Sequence, residues 1–336
     1  MNPARRVVVV GASAGGMDAL RALVARIPGT FPAPICIVLH TSPEAPGIMD
    51  EILRRETRLR VLLACDLCRL QPGHVYVAPP DRHVLVEPGR LRLTKGPREH
   101  GFRPAIDPLF RSAAQVYGPA AVGVILTGNL DDGTAGLWTI KKLGGVTVVQ
   151  DPAEALFSSM PRHAVENVDV DHVVPLWRMP GLLAELMLEA PAEAPGNAAP
   201  EHIVVEVNIA KEQNPREAGV ERIGRPSSFS YPDCRGVLLE FEEGGRIRFR
   251  CHIGHAYSTD SLLAAMNEAI EHAIDTAVRS VEEGRLLMDE IASQLEGRNE
   301  HDAARRLRES SSRAKHKVET MNELMREQDT VPTVDE

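Results

Sequence analysis

Short apolar runs alternate with amphipathic stretches over the first 190 or so residues of the chain. Runs such as 7–10 and 35–39 are continuous and rich in β-branched residues, which is typical of strands buried on both faces of a parallel sheet. The predicted strands are 7–10, 35–39, 75–78, 122–126 and 146–149, and the predicted helices are 18–27, 48–56, 108–116 and 134–143. This alternation predicts an α/β fold with a doubly wound, mostly parallel sheet.

The rest of the pattern predicts a hairpin and a second unit. Two alternating runs, 83–87 and 90–94, flank Pro88-Gly89 and predict a β-hairpin. The stretch 190–200, APAEAPGNAAP, predicts a linker between a first domain at 1–189 and an accessory module at 201–336. In that module we expect a small β-hairpin within about 226–257, followed by a helical hairpin within about 259–327.

Net charge and the length of the apolar runs argue against some classes of function. A net charge of -9 argues against a general nucleic-acid binder, which needs a basic surface. The chain has no apolar run near the ~20 residues that span a bilayer, and its first apolar run is too short for a signal peptide. We therefore expect a cytoplasmic protein without membrane insertion. Five cysteines favour reduced thiols over a disulfide framework.

Three polar positions directly follow predicted strands. They are Ser13 in VVVVGASAGG, His40 in CIVLHTSP and the pair Asp131-Asp132 in VILTGNLDDGTAG. Ligand sites in open α/β sheets form where the carboxyl ends of strands meet, so one crevice can gather all three. A histidine that accepts the serine proton, oriented by a carboxylate, makes the serine nucleophilic. The order Ser, His, Asp differs from that of α/β-hydrolases, so the literal G-x-S-x-G does not indicate that fold.

Each position also has a simpler interpretation. A glycine-rich turn after a first strand often holds a nucleotide phosphate, although the glycines here do not follow G-x-G-x-x-G. A single histidine at a strand end is usually structural, and Asp-Asp-Gly is an ordinary turn. Nucleotide binding therefore stays an alternative to catalysis.

Six motifs in order resemble the catalytic domain of the chemotaxis protein-glutamate methylesterases: GASAGG, VLHTSP, VYVAPPDRHV, RPAIDPLFRSAA, GVILTGNLDDGTAG and SSMPRHAV. The resemblance implies a serine esterase that removes methyl groups from glutamate esters on methylated chemoreceptors, and that also deamidates glutamines in some members. It implies Ser13 as nucleophile, His40 as base and Asp132 as the triad carboxylate. The candidate oxyanion or substrate-binding residues are Gly11, Ala14, Asn129, Arg103 and Met160. The alternative is a catalytically silent or partner-gated chemosensory protein.

The chain departs from the family pattern at three places. The first strand begins within ten residues of the start, so we expect no phospho-accepting receiver domain ahead of it. Position 129 is Asn where the family more often has Met. The second unit resembles a module with a C-P-x-C pair followed by F-R-C-x-x-G-H, in which Tyr231 replaces the first cysteine. Because structural zinc needs four ligands, we expect no cofactor, and zinc at Cys234, Cys251 and His255 is the alternative.

Overall fold

The valine run near the N-terminus forms the central strand of a seven-stranded parallel sheet. The computed structural model describes residues 6–193, 199–211, 214–232 and 234–328. The first nine strands, in chain order, are β1 (Val7–Ala12), β2 (Ile35–Leu39), β3 (Arg60–Leu63), β4 (His74–Val77), β5 (His83–Glu87), β6 (Arg90–Thr94), β7 (Ala121–Ile125), β8 (Val146–Gln150) and β9 (His172–Val174). The sheet order is β3-β4-β2-β1-β7-β8-β9, and β5 and β6 form the predicted separate hairpin.

Helices cover both faces of this sheet. They are α1 (Gly16–Arg26), α2 (Met49–Arg54), α3 (Ile106–Tyr117), α4 (Thr134–Lys142), α5 (Ser159–Asn167) and α6 (Met179–Leu188). Alternate residues of β1 enter opposite cores: Val8 and Val10 pack on one face, and Val7 and Val9 on the other. Burial on both faces explains why this strand is apolar throughout. The predicted doubly wound α/β fold is confirmed.

The region after residue 199 contains more regular structure than the sequence pattern indicated. Three helices, α7 (Glu201–Ala210), α8 (Pro215–Ala218) and α9 (Val220–Ile223), occupy a segment for which no element was predicted. The predicted β-hairpin is the centre of a four-stranded antiparallel sheet. Its strands are β10 (Arg225–Ser230), β11 (Val237–Glu243), β12 (Arg246–Cys251) and β13 (Ala256–Ser258). The predicted helical hairpin follows as α10 (Thr259–Gly297) and α11 (His301–Gln328).

The chain divides into two compact units, one ending at Leu262 and the other beginning at Leu263. The first therefore contains the seven-stranded sheet, the four-stranded sheet and the β5–β6 hairpin, and the second contains most of α10 and α11 as far as the structure describes it. The domain boundaries expected at 189 and 201 stay a prediction, and residues 194–198 of the expected linker lie outside the described residues. Among the described residues, no helix has the length and apolarity required to cross a membrane.

The cysteines differ from the expectation of reduced thiols. Cys65 and Cys68 form a disulfide, with their Cα atoms 5.3 Å apart, whereas Cys36, Cys234 and Cys251 are thiols. A turn brings the first two within the range of Cα separations that a disulfide requires. Burial raises the pKa of the Cys36 thiol.

Candidate active site

Ser13 lies on the turn between β1 and α1. Its backbone N–H donates to the carbonyl of Thr127 (3.0 Å), and its own carbonyl accepts from the N–H of Gly16 (2.9 Å). The turn ends at Gly15, which has a left-handed backbone (φ +70°) and precedes the first residue of α1. Glycine adopts this conformation at little cost. The serine side chain is thereby held at the carboxyl edge of the sheet, at the start of a helix.

His40 follows β2, the strand next to β1 in the sheet. Its Nδ1 lies 3.1 Å from the Ser13 Oγ, and its Nε2 lies 2.7 Å from Oδ2 of Asp132. The ring also stacks on Phe102, with centroids 3.8 Å apart and planes 7° from parallel. In chymotrypsin-type enzymes the serine faces Nε2 and the aspartate faces Nδ1. In this chain the arrangement is reversed: the serine faces Nδ1 and the aspartate faces Nε2.

Asp132 is almost completely buried, and its carboxylate caps the start of α3. Oδ2 accepts the backbone N–H of Ile106 (2.8 Å), and Oδ1 accepts that of Asp107 (3.1 Å). Free N–H groups at a helix N-terminus favour a negative charge in this position. Since Oδ2 also contacts His40, the helix fixes the carboxylate that orients the imidazole.

Thr127 and Gly128, which sequence reasoning did not identify, support the serine turn from β7. The Thr127 hydroxyl donates to the Ala14 carbonyl (3.1 Å) and accepts the N–H of Phe157 (2.9 Å). A Cβ on Gly128 would lie 2.8 Å from the Cβ of Ser13 and 2.7 Å from Cε of Met160, so only glycine fits here. The TGN motif contained these two residues, but nothing in it distinguished support for the backbone from an ordinary loop.

The remaining candidate residues divide between the cleft and the packing beneath it. Ala14 and Arg103 line a cleft of about 520 Å³ together with Ser13 and His40. The Arg103 guanidinium is held by Asp81, with Nη2 2.6 Å from Oδ1.

Three candidates lie outside the lining of this cleft. Asn129 is exposed in the loop after β7, and Met160 is fully buried below Gly128. Gly11 lies inside β1, where a Cβ would meet Cγ2 of Ile106 at 2.4 Å. The structure therefore brings Ser13, His40, Asp132, Ala14 and Arg103 together, whereas Gly11 and Met160 pack behind them.

Asp131 turns away from the cleft, although it is the neighbour of Asp132. Its carboxylate is buried against Arg246, whose Nη2 lies 2.7 Å from Oδ2, and against the Ser258 hydroxyl, 2.7 Å from Oδ1. Burial raises its pKa, but the charges of His100 and Arg246 and the hydrogen bond from Ser258 lower it further, so the net shift is downward. Asp131 is thus an ionised structural residue.

Cys234, Cys251 and His255 form a cluster in the small sheet. Their potential ligand atoms all lie within 4.8 Å of one another. The ring of Tyr231, which replaces the first cysteine of the motif and so its fourth ligand, stacks on His255 with centroids 4.5 Å apart. Burial raises the pKa of the Cys251 thiol, which opposes formation of the thiolate that zinc binds. Three ligands fall one short of a structural zinc site, so absence of zinc stays our prediction.

Known proteins similar to this chain share its first domain. The family model for CheB methylesterase matches residues 8–183. A putative protein-glutamate methylesterase/protein-glutamine glutaminase of Leptospira interrogans is 39% identical over 180 residues, covering 53% of this chain and 93% of that protein. The protein-glutamate methylesterase FrzG of Myxococcus xanthus is 42% identical over 184 residues, covering 54% of this chain and 55% of FrzG.

A solved structure has the same fold. The crystal structure of the Thermotoga maritima CheB methylesterase catalytic domain is 34% identical, with a TM-score of 0.52. The match covers 54% of this chain and 98% of that one.

Proposed function

Because the chain belongs to the CheB methylesterase family, we propose that it is a serine esterase that hydrolyses glutamate methyl esters on chemoreceptor-type proteins. One observation carries the proposal. Ser13, His40 and Asp132 form a continuous hydrogen-bonded line, and the serine end of this line opens into a cleft. A buried serine–histidine–carboxylate line is the arrangement that activates a serine hydroxyl.

The first half of the reaction makes an acyl-enzyme. The Ser13 Oγ attacks the ester carbonyl while its proton passes to His40 Nδ1, and the carboxylate of Asp132 stabilises the resulting imidazolium. As the tetrahedral intermediate collapses, the C–O bond to the methoxy group breaks. His40 returns the proton to this leaving group, which departs as methanol.

The second half regenerates the enzyme. A water molecule gives a proton to His40 and attacks the acyl carbonyl. Collapse then breaks the bond to Ser13, which recovers its proton from His40. The products are a glutamate side chain and free Ser13. In this proposal the reaction needs no cofactor.

The N–H of Ala14 is our first candidate for an oxyanion donor. It follows the nucleophile in the chain and borders the cleft, at the turn that leads into α1. Losing one such donor typically costs about 3 kcal/mol of transition-state stabilisation. The N–H of Asn129, in the loop after β7, is a second candidate.

Deamidation of glutamine follows the same route with ammonia as the leaving group. Since the acyl-enzyme is identical, one active site serves both reactions. We propose glutamate ester hydrolysis as the main activity, on a receptor or receptor-like partner in the cytoplasm.

Methanol release from methylated receptor tests the proposal. We expect release by the wild-type chain and none above background by Ser13→Ala, with Ser280→Ala, at an exposed serine of α10, as the matched control. A fluorophosphonate, which reacts only with an activated serine, should label the wild type and the control but not Ser13→Ala. Labelling without methanol release would indicate another ester substrate. Absence of both would favour the catalytically silent alternative.

A further inference from the structure

Asp131 links the proposed active site to a separate part of the fold. Both of its carboxylate oxygens are occupied by residues of the β-module, by which we mean residues 225–262. Arg246 contacts one oxygen and the Ser258 hydroxyl donates to the other, each at 2.7 Å. Asp131 is fully buried. Two of the three side chains that contact the carboxylate of Asp131 thus come from a sheet more than a hundred residues later in the chain, and the third is His100, with Nδ1 3.5 Å from Oδ1.

His100 forms a second link. Its Nδ1 lies 2.9 Å from the Ser261 hydroxyl of the β-module, and its Nε2 lies 3.2 Å from Asp107 and 3.8 Å from Oδ1 of Asp132. Burial lowers the pKa of His100, but the hydrogen bond to Asp107 and the charge of Asp132 raise it more, so the net shift is upward. The upward shift favours the cationic form of His100, which lies beside the triad carboxylate.

Asp107 forms the third link. Its backbone N–H donates to Oδ1 of Asp132, while its side chain accepts from Nη1 of Arg248 at 2.8 Å. The other oxygen accepts the N–H of Gly136 at 2.6 Å. The β-module thus also holds the first turn of the helix that binds Asp132.

The contact between the first domain and the β-module pairs buried charges of opposite sign. The buried carboxylates of Glu99, Asp107 and Asp131 belong to the first domain, and the buried Arg111 of that domain contacts the first two of them. Arg246, Arg248 and Arg250 of the β-module each pair with one of these carboxylates: Arg246 with Asp131, Arg248 with Asp107 and Arg250 with Glu99. Buried carboxylates need such partners, because an unpaired buried charge is strongly destabilising.

From these contacts we propose that the β-module is a positioning element of the active site. Arg246, Ser258 and Ser261 fix Asp131 and His100, and these two residues hold the loop and the helix turn that orient Asp132. The inference rests on the proposed function. It makes Arg246, Ser258 and Ser261 positioning residues, since none of them reaches Ser13 or the cleft lining.

Loss of these contacts should affect kcat rather than KM. A displaced Asp132 weakens stabilisation of the imidazolium, which exists in the transition state and not in the bound ester. A displacement of about 1 Å at a catalytic group costs about 100-fold in rate, so we expect a loss of roughly 10- to 100-fold. Because the protonated form of His40 would lose part of its stabilisation by Asp132, the pH at half-maximal activity should also move downward.

The test compares single substitutions in the full-length chain. Ser258→Ala removes one oxygen and Arg246→Ala removes one cation, whereas Arg246→Lys keeps the charge. Arg225→Ala is the matched control, because Arg225 is an exposed arginine of the same module that pairs only with Glu240 among the described residues. We would measure kcat and KM for methanol release, the fluorophosphonate labelling rate against pH, and the melting temperature of each variant.

The expected result is a lower kcat and a displaced pH profile for Ser258→Ala and Arg246→Ala. Partial recovery is expected in Arg246→Lys, and wild-type behaviour in Arg225→Ala. If Arg246→Ala does not fold, the milder Ser258→Ala still decides the question. Wild-type kcat and pH profile in a folded Ser258→Ala, and in Arg246→Ala where it folds, would overturn the inference alone. A wild-type chain that neither labels nor releases methanol would overturn the proposed function, and the inference with it.

Discussion

The partners of its carboxylate oxygens distinguish Asp132 from its neighbour Asp131, whose oxygens contact Arg246 and Ser258. Asp132 accepts two backbone N–H groups from the start of α3 in addition to the His40 contact. Both aspartates are buried and follow the same strand, but only one faces the imidazole. The sequence motif DDG contained no information about which one, and the assignment to Asp132 depended on the family resemblance.

Replacing Asp132 by asparagine tests this assignment. The amide cannot stabilise the imidazolium, and in serine triads such a change lowers kcat about 10⁴-fold. We expect the fluorophosphonate labelling rate to fall steeply in Asp132→Asn. Asp169→Asn, which changes an exposed aspartate of the same domain, is the control and should label as the wild type does. Equal labelling by Asp132→Asn would exclude Asp132 from the triad.

Phe102 is a second residue whose role appears only in the structure. Its ring stacks on that of His40. In the sequence Phe102 directly precedes RPAID, and no pattern marks it as a site residue. In Phe102→Ala the imidazole would lose this contact, so we expect a fall in kcat of roughly tenfold, since orientation of catalytic groups is a large component of rate. Phe102→Tyr keeps the stacked ring and should retain most activity. Steady-state kinetics of both variants would check this, and equal losses in the two would argue against stacking.

At the scale of elements, the pattern predicted the strands that are buried on both faces and missed those at the edges. The predicted strand 35–39 matches β2, and the predicted hairpin matches β5 and β6. The edge strands β3 and β9 are short and partly exposed, so they lack a continuous apolar run. The sequence pattern did not predict α7, because this helix lies between the linker-like APAEAPGNAAP and a polar segment, and the whole region was assigned to these two.

From the sequence, only the site residues that follow strands could be predicted. Ser13, His40 and Asp132 each follow a strand, and the topology brings those ends together. The contacts of Arg246, Ser258 and Ser261 depend on how a second sheet packs on the first. No local pattern specifies that packing.

Gly11 shows how closely β1 and α3 pack. A methyl group there would overlap Ile106, so Gly11→Ala should lower the free energy of unfolding by about 1–3 kcal/mol, as overpacking does. Gly181→Ala is the matched control, because nothing lies within 4 Å of the Cβ it would add in α6. That change should be neutral or stabilising by up to about 1 kcal/mol. Urea unfolding of both variants would measure the difference, and equal stabilities would show that this contact adapts.

The cluster in the small sheet leads to a prediction about metal content. With Tyr231 in place of a fourth ligand, we expect the purified chain to contain much less than one zinc per molecule by elemental analysis. Tyr231→Cys restores a fourth ligand and should raise the zinc content. A full equivalent of zinc in the wild type, lost in Cys234→Ser, would contradict the prediction.

At the scale of the molecule, the two larger sheets of the first unit are joined by a buried set of charges. This set consists of four carboxylates and three arginines, each fully or almost fully buried and linked to the others by ion pairs: Glu99, Asp107, Glu206, Glu243, Arg111, Arg248 and Arg250. Burial raises the pKa of Glu99 and of Asp107, but the neighbouring arginines lower both further, so each net shift is downward. The ionised carboxylates therefore hold this interface together.

These shifts make stability depend on pH. A carboxyl whose pKa is lower in the folded state contributes stability that is fully present above its ordinary value of 4.5 or 3.8. That contribution is lost as the pH falls toward the folded value. The free energy of unfolding should thus decrease steadily below about pH 5. His100, with a raised pKa, acts in the opposite direction: its contribution is complete below 6.5 and is lost as the pH rises through the folded value.

Chemical unfolding over a pH series would test this. Glu99→Gln removes one of the shifted carboxyls, so its stability should be lower by roughly 3 kcal/mol or more near neutral pH, since it breaks a buried ion pair. Its decline in acid should also be shallower than that of the wild type. Glu319→Gln, on an exposed part of α11, should follow the wild-type curve. Parallel curves for all three proteins would show that Glu99 does not contribute to the acid sensitivity.

Because each ring nitrogen of His40 contacts a different residue, an asparagine and a glutamine at this position would each preserve a different one of the two contacts. Nδ1, which faces Ser13, is as far along the side chain as the amide of an asparagine, whereas Nε2, which faces Asp132, is at the reach of a glutamine. His40→Asn therefore preserves the contact to the serine, and His40→Gln preserves the contact to the carboxylate. Neither amide accepts a proton, so both proteins would bind an ester without cleaving it. The asparagine form is the better choice for capturing a complex with the proposed receptor substrate, because it keeps the side-chain contact to the serine hydroxyl.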